Sequence, residues 1–151
     1  MNFRIVWRTV GTVLMIEAGL MLLPLITALV YHESPVPFLI PMAATALVGF
    51  LLSRVKAGRG VFTAREGFVI VGLSWILMSL SAAGPFVLAG DIPNYLDAVF
   101  EIVSGITTTG ATILSDVEAV SRAGQFWRLF SHWTETMPCA SLVSAKHCCI
   151  A

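Results

Sequence analysis

Three long stretches of this chain carry almost no charge, and that feature limits the folds open to it more than any other. From about Thr9 to Tyr31 the only charged side chain is Glu17, and from Pro35 to Ser53 and from Gly67 to Ala89 there is none. At 1.5 Å rise per residue the first stretch, about 23 residues, reaches ~34 Å and covers a hydrocarbon core of ~30 Å. The second, ~19 residues, is close to the minimum for crossing, and the third is rich in small residues that let membrane helices approach closely. With 57% hydrophobic and 12% charged residues in 151, the chain departs from the balance of a soluble domain and reads as an all-α integral membrane protein. Nine basic and nine acidic side chains cancel, which argues against nucleic acid as a partner and leaves the lipid bilayer as the principal one.

The links between these stretches set the orientation. Arg4 and Arg8 precede the first, and Arg54, Lys56, Arg59 and Arg65 lie between the second and third, whereas the link "YHESPVP" holds no Lys or Arg. Basic residues favour the cytoplasmic side, so the N-terminus is expected there, although Arg122 and Arg128 then fall outside. The initial apolar run is too long for a signal-peptide core and is read as a retained helix. Pro85 is expected to kink or end the third helix.

Beyond it, "GDIPNYLDAVFEIV" predicts a short helix over Tyr95–Ser104. Asn94 is a cap, Asp97 suits the positive end of the helix dipole, and Gly105 is a stop signal. About ten residues reach only ~15 Å, half the membrane, so this helix either lies on the surface or dips in and returns. In the second case the following "ITTTGAT" sits at depth in non-helical form, which is tolerated only inside protein or beside an aqueous cavity. Successive carbonyls there can replace an ion's water, and Gly110 permits backbone angles denied to other residues. The negative end of the short helix favours a cation, and Asp116 and Glu118 would gather cations at the outer mouth.

Plainer readings stand beside these. Threonine and glycine in a membrane segment are commonly packing residues. Glu17 is either a functional intramembrane carboxylate or a group paired with a neighbour. Trp7, Trp127 and Trp133 fit an interfacial aromatic belt. Cys139, His147, Cys148 and Cys149 lack the spacing of paired zinc ligands. Ser104 with Gly105 and His132 superficially suggests an intramembrane serine protease, but Ile102 stands where such enzymes have glycine. A small helical membrane protein with a structural or interaction role is the other alternative.

The stretch "FEIVSGITTTGATIL", followed by "FWRLFSHW" and preceded by "REGF", resembles the first pore repeat of the TrkH/KtrB potassium-uptake proteins, over about Met1 to Trp133. The resemblance implies a fold of four membrane-pore-membrane repeats in one chain around a central pore, each repeat giving one filter loop. This chain would supply a two-helix hairpin over residues 1–60 and an incomplete first repeat over 61–133: third helix, re-entrant pore half-helix and filter loop. It implies Gly110 as the filter glycine, Thr107, Thr108 and Thr109 as residues whose backbone lines the ion path, and Thr108 and Thr109 as those nearest the transported potassium ion. No enzyme activity and no organic cofactor are implied. A cytoplasmic nucleotide-binding regulatory subunit and a homodimer of the membrane subunit are implied as partners, in the bacterial inner membrane. Residues 134–151, "TETMPCASLVSAKHCCIA", depart from the glycine-rich helix of the family and suggest a truncated or frame-shifted product, one that supplies a quarter of a filter and is not expected to conduct alone.

Overall fold

The computed structural model describes residues 3–55, 64–107, 109–114 and 120–131, which form helices and connecting turns with no strand among the described residues. Helices α1 (Phe3–Leu20) and α2 (Leu22–Val30) make one apolar rod of 28 residues, interrupted at Met21. The interruption follows from Pro24, which has no N–H to offer the Leu20 carbonyl and crowds it with its ring. Met21 N still donates to Glu17 O at 3.0 Å and Leu25 N to Met21 O at 3.3 Å, so the rod continues past the break. It starts six residues earlier than the apolar run, at Phe3, and takes in Arg4 and Arg8. His32, at φ 57°, ends it, and Glu33 N reaches back to Ala28 O at 2.8 Å.

Helix α3 (Val36–Ser53) begins behind Pro35 and returns along α1. The two meet where both lack side chains: a Cβ on Gly11 would lie 2.6 Å from Ser53 N, and one on Gly49 3.0 Å from Gly11 O. Backbone surfaces are therefore in direct contact, the arrangement that small residues permit between membrane helices. The third span, rich in small residues, approaches closely at one of its two inner glycines: a Cβ on Gly84 would lie 3.1 Å from Pro41 of α3, whereas one on Gly72 meets nothing within 4 Å. Helix α4 (Ala64–Ala89) passes through Pro85 and ends four residues beyond it. The rod α1–α2, α3 and Arg65–Ala89 of α4 are each long and apolar enough to cross a membrane. Their outward faces carry exposed Leu22, Ile26, Leu39, Leu47, Leu51 and Ile76, as a lipid-facing surface requires.

Two apolar clusters hold the helices together. One joins Val6, Val10, Val13 and Leu14 of α1 to Ile70 and Met78 of α4. The other gathers Met21, Phe38, Ala82 and Phe86 with residues of the two short helices, α5 (Tyr95–Ile106) and α6 (Arg122–Ser131). Glu17 is buried in the spanning part and accepts from Ser81 Oγ at 2.8 and 2.9 Å, which places it with a neighbour on α4.

Candidate functional site

The site is built by a segment that leaves the end of α4, runs along that helix to its middle, and comes back. Asn94 opens α5 with extended backbone and accepts from Leu96 N at 3.2 Å, while Asp97 occupies the first turn. Tyr95 Oη donates to Leu80 O at 2.8 Å, fixing α5 against α4. Twelve residues later Thr107 lines a cleft of about 310 Å³ together with Trp75, Ile76 and Ser79, which are at the midpoint of α4. The helix is two residues longer than its sequence signals suggest because Gly105 does not stop it. That glycine is buried, and a side chain there would collide with Ser131 Oγ of α6, so its role is close packing.

From Thr109 to Leu114 the chain is non-helical and climbs beside α5. Thr109 N and Gly110 N both donate to Ser104 O, at 3.0 and 3.4 Å. Gly110 has φ +72°, a conformation that costs other L-residues ~1–2 kcal/mol. Ser104 Oγ donates to Ala111 O at 2.5 Å, one turn higher Glu101 Oε2 accepts from Thr112 Oγ1 and Ile113 N at 3.1 Å each, and Leu114 N donates to Thr112 Oγ1 at 3.1 Å. By Ser121 the chain is back at the end of α4, where Asp91 accepts from Ser121 N at 3.0 Å and Ser121 Oγ at 2.7 Å. The result is a hairpin of one helix and one non-helical limb, turned at half the height of α4.

Helix α6 closes the hairpin from behind. Glu33 accepts from Arg122 N at 2.8 Å and Ala123 N at 3.1 Å, so a carboxylate satisfies the helix's leading donors. Gly124 N donates to Ser121 Oγ at 3.1 Å, a second cap. Trp127 is buried, with Nε1 donating to Ala82 O at 3.0 Å, so it is a core residue and not part of an interfacial belt. Arg128 pairs through Nε with Glu101 Oε1.

The turn brings together three of the residues singled out from sequence. Thr107 Oγ1 lies 2.8 Å from both Val103 O and Thr109 Oγ1. Each hydroxyl has one proton: Thr107 donates to the Val103 carbonyl, which leaves Thr109 as the donor to Thr107. Both hydroxyls are thus tied back toward α5, while Thr107 and Thr109 to Ile113 remain exposed. Thr108, Asp116 and Glu118 lie outside the described residues, as do His132, Trp133 and the cysteines of the tail. Among the described residues no cluster of His, Cys, Asp and Glu could hold a metal ion. Ser104 has its hydroxyl engaged with the loop, the opposite of an available nucleophile. Sequence reasoning passed over Glu101 and Asp91 and weighed Arg128 only as a topology signal; the one available signal was Glu101 itself, an acid in the otherwise apolar run "AVFEIVSGI".

Comparison with known proteins covers this whole region. Residues 34–145 match the TrkH family, described as cation transport protein. The chain belongs to the TrkH family. It is 34% identical over 140 residues to the Trk system potassium uptake protein TrkH of Salmonella typhimurium, covering 88% of this chain and 28% of that protein. It is 35% identical over 131 residues to the Trk system potassium uptake protein TrkG of Escherichia coli, covering 84% of this chain and 27% of that one. An uncharacterized cation transporter of Methanocaldococcus jannaschii is 33% identical over 124 residues, 82% of this chain and 26% of its own length. The chain therefore spans little more than a quarter of the length of these relatives. TrkH-family proteins are transporters and not enzymes, which removes the protease reading of Ser104. With its three apolar spans, this chain is a multi-pass membrane protein of that family.

Proposed function

We propose that residues 107–110 are one segment of a potassium-selective filter, contributing backbone carbonyls to an ion path completed by loops from elsewhere in a full TrkH-family transporter. The observation that carries this reading is the turn itself: a loop inside the family match, reversing at the middle of α4, with Gly110 in a left-handed conformation. Carbonyls stacked on such a loop replace an ion's hydration shell, and the C-terminal end of α5 adds negative potential beside them. The engagement of both threonine hydroxyls with α5 or with each other favours backbone over side-chain coordination. Thr108 and Thr109 are the residues nearest the transported potassium ion, with Asp116 and Glu118 gathering cations at the entrance.

In this reading α5 is a re-entrant pore helix, residues 1–60 are a supporting hairpin and 61–133 belong to the first pore repeat, with the family match running on to residue 145 within the 134–151 tail. The N-terminus is cytoplasmic, in a bacterial inner membrane. A cytoplasmic nucleotide-binding subunit and a second membrane subunit complete the assembly. One loop gives only a fraction of the coordination that offsets ion dehydration, so transport belongs to the assembly and not to residues 107–110 alone.

The test is a chimera in which residues 1–133 replace the aligned part of Salmonella typhimurium TrkH, expressed in a strain that lacks potassium uptake. The chimera should restore growth at low potassium, and Gly110→Ser should abolish it at equal membrane abundance. Growth unaffected by Gly110→Ser would count against the filter assignment.

A further inference from the structure

Among the described residues, the non-helical limb that follows Gly110 is not held by a backbone ladder of its own. Its fixed points are side chains of α5: Ser104 Oγ on Ala111 O, and Glu101 Oε2 on both Thr112 Oγ1 and Ile113 N. Glu101 is 2% exposed, and its other oxygen meets Arg128 on α6. One buried carboxylate therefore joins three elements: the pore helix that carries it, the limb, and the helix behind. Its two oxygens divide the work, Oε1 facing the cation and Oε2 the limb.

We propose that Glu101 is a positioning residue for ion selection, setting the height and rotation of the limb at Thr112 and Ile113, with Arg128 locking the carboxylate in the rotamer that does so. The proposal rests on the reading of residues 107–110 as a filter segment. Thr109 to Ile113 are exposed, so among the described residues nothing opposite Glu101 fixes the limb. If the limb slides or rotates, Ala111 and Gly110 move with it, and the segment ahead of them is displaced as well. A charged acceptor suits the task, since hydrogen bonds to ionised groups are shorter and roughly twice as strong as neutral ones. A carboxylate also offers two oxygens in one plane, so a single side chain holds the guanidinium and the limb at once.

A purely structural role would make Glu101 only a bridge between α5 and α6, and the two roles separate cleanly. The charge swap Glu101→Arg with Arg128→Glu can restore an ion pair between the helices. It cannot restore the limb contacts, because arginine has no acceptor for Thr112 Oγ1 or Ile113 N. Thr112→Val does the reverse, removing a limb contact while leaving the ion pair in place.

The experiment measures potassium over sodium uptake in the chimera described above, alongside hydrogen exchange at the Ile113 amide of the purified 151-residue chain in lipid nanodiscs. Glu101→Gln and Thr112→Val should each lower potassium-to-sodium discrimination about tenfold, the scale of one hydrogen bond to a charged group. The charge swap should recover membrane abundance relative to Glu101→Arg alone without recovering discrimination. Wild-type discrimination in both Glu101→Gln and Thr112→Val, or its recovery in the charge swap, would overturn the proposal. The exchange measurement needs no transport: the Ile113 amide should be protected in the wild-type chain and exchange faster in Glu101→Gln. Unprotected Ile113 in the wild type would overturn the clamp by itself, whereas Gly110→Ser without effect on uptake would overturn the filter reading instead.

Discussion

Gly110 and Gly90 form a matched pair that separates backbone strain from ion chemistry. Their φ angles are +72° and +80°, and a Cβ built on either meets nothing within 4 Å. Alanine at either place therefore suffers no collision, only the left-handed conformation, which costs ~1–2 kcal/mol. Part of this is offset because alanine narrows the unfolded ensemble, an effect of ~0.4–1 kcal/mol. The net expectation is a loss of roughly 0.5–1 kcal/mol for each variant, measured as a shift of the unfolding midpoint in mixed detergent micelles. The two variants should be equally destabilised, yet only Gly110→Ala should impair potassium uptake in the chimera. D-alanine introduced at position 110 by semisynthesis prefers positive φ and should restore both stability and uptake. Loss of more than about 3 kcal/mol at Gly110 but not at Gly90 would show crowding that the structure lacks, since cost on that scale needs a steric or polar cause beyond φ. Uptake equally impaired by L- and D-alanine would refute the conformational argument.

Other consequences follow from the packing. Gly11→Ala places a Cβ against Ser53 N and Gly49 O of α3 and should destabilise the α1–α3 pair by ~1–3 kcal/mol, whereas Gly19→Ala, with nothing within 4 Å, should stabilise by up to ~1 kcal/mol through helix propensity; opposite signs in the same unfolding assay are the expected result. Ser81→Ala removes the hydroxyl that meets both oxygens of buried Glu17 and should cost ~1–3 kcal/mol, with Glu17→Gln on the Ser81→Ala background recovering part of it. Trp127→Phe keeps an aromatic ring in the core but removes the bond to Ala82 O, for a loss of ~1 kcal/mol read by thermal unfolding.

The three spans were legible because apolarity over some twenty residues leaves few alternatives, and Asn94 announced α5 because its side chain bonds to the backbone two residues on. Ends were less legible. The helix of the first span runs back to Phe3, since nothing in Arg4 or Arg8 breaks a helix at its solvated end. Gly105 looked like a stop but is a packing contact with Ser131, because a glycine needed for close approach and one needed for positive φ are the same letter in a sequence. Trp127 suited a membrane interface as well as a core, and only the Ala82 carbonyl, 45 residues away, decides between them. The Glu101 and Arg128 pair spans 27 residues and has no helical or strand periodicity to betray it. Gly110, by contrast, was legible from its setting, and its φ of +72° is the conformation that glycine favours.

The central claim is that the backbone of residues 107–110 lines a potassium path, and ion occupancy tests it most directly. Crystals of the chimera grown with rubidium in place of potassium locate the ion by anomalous scattering. The account predicts a rubidium site in contact with backbone carbonyls of Thr107 to Thr109, lost in Gly110→Ser. Rubidium bound elsewhere in the pore with none beside this loop, or held there by threonine hydroxyls alone, would contradict it.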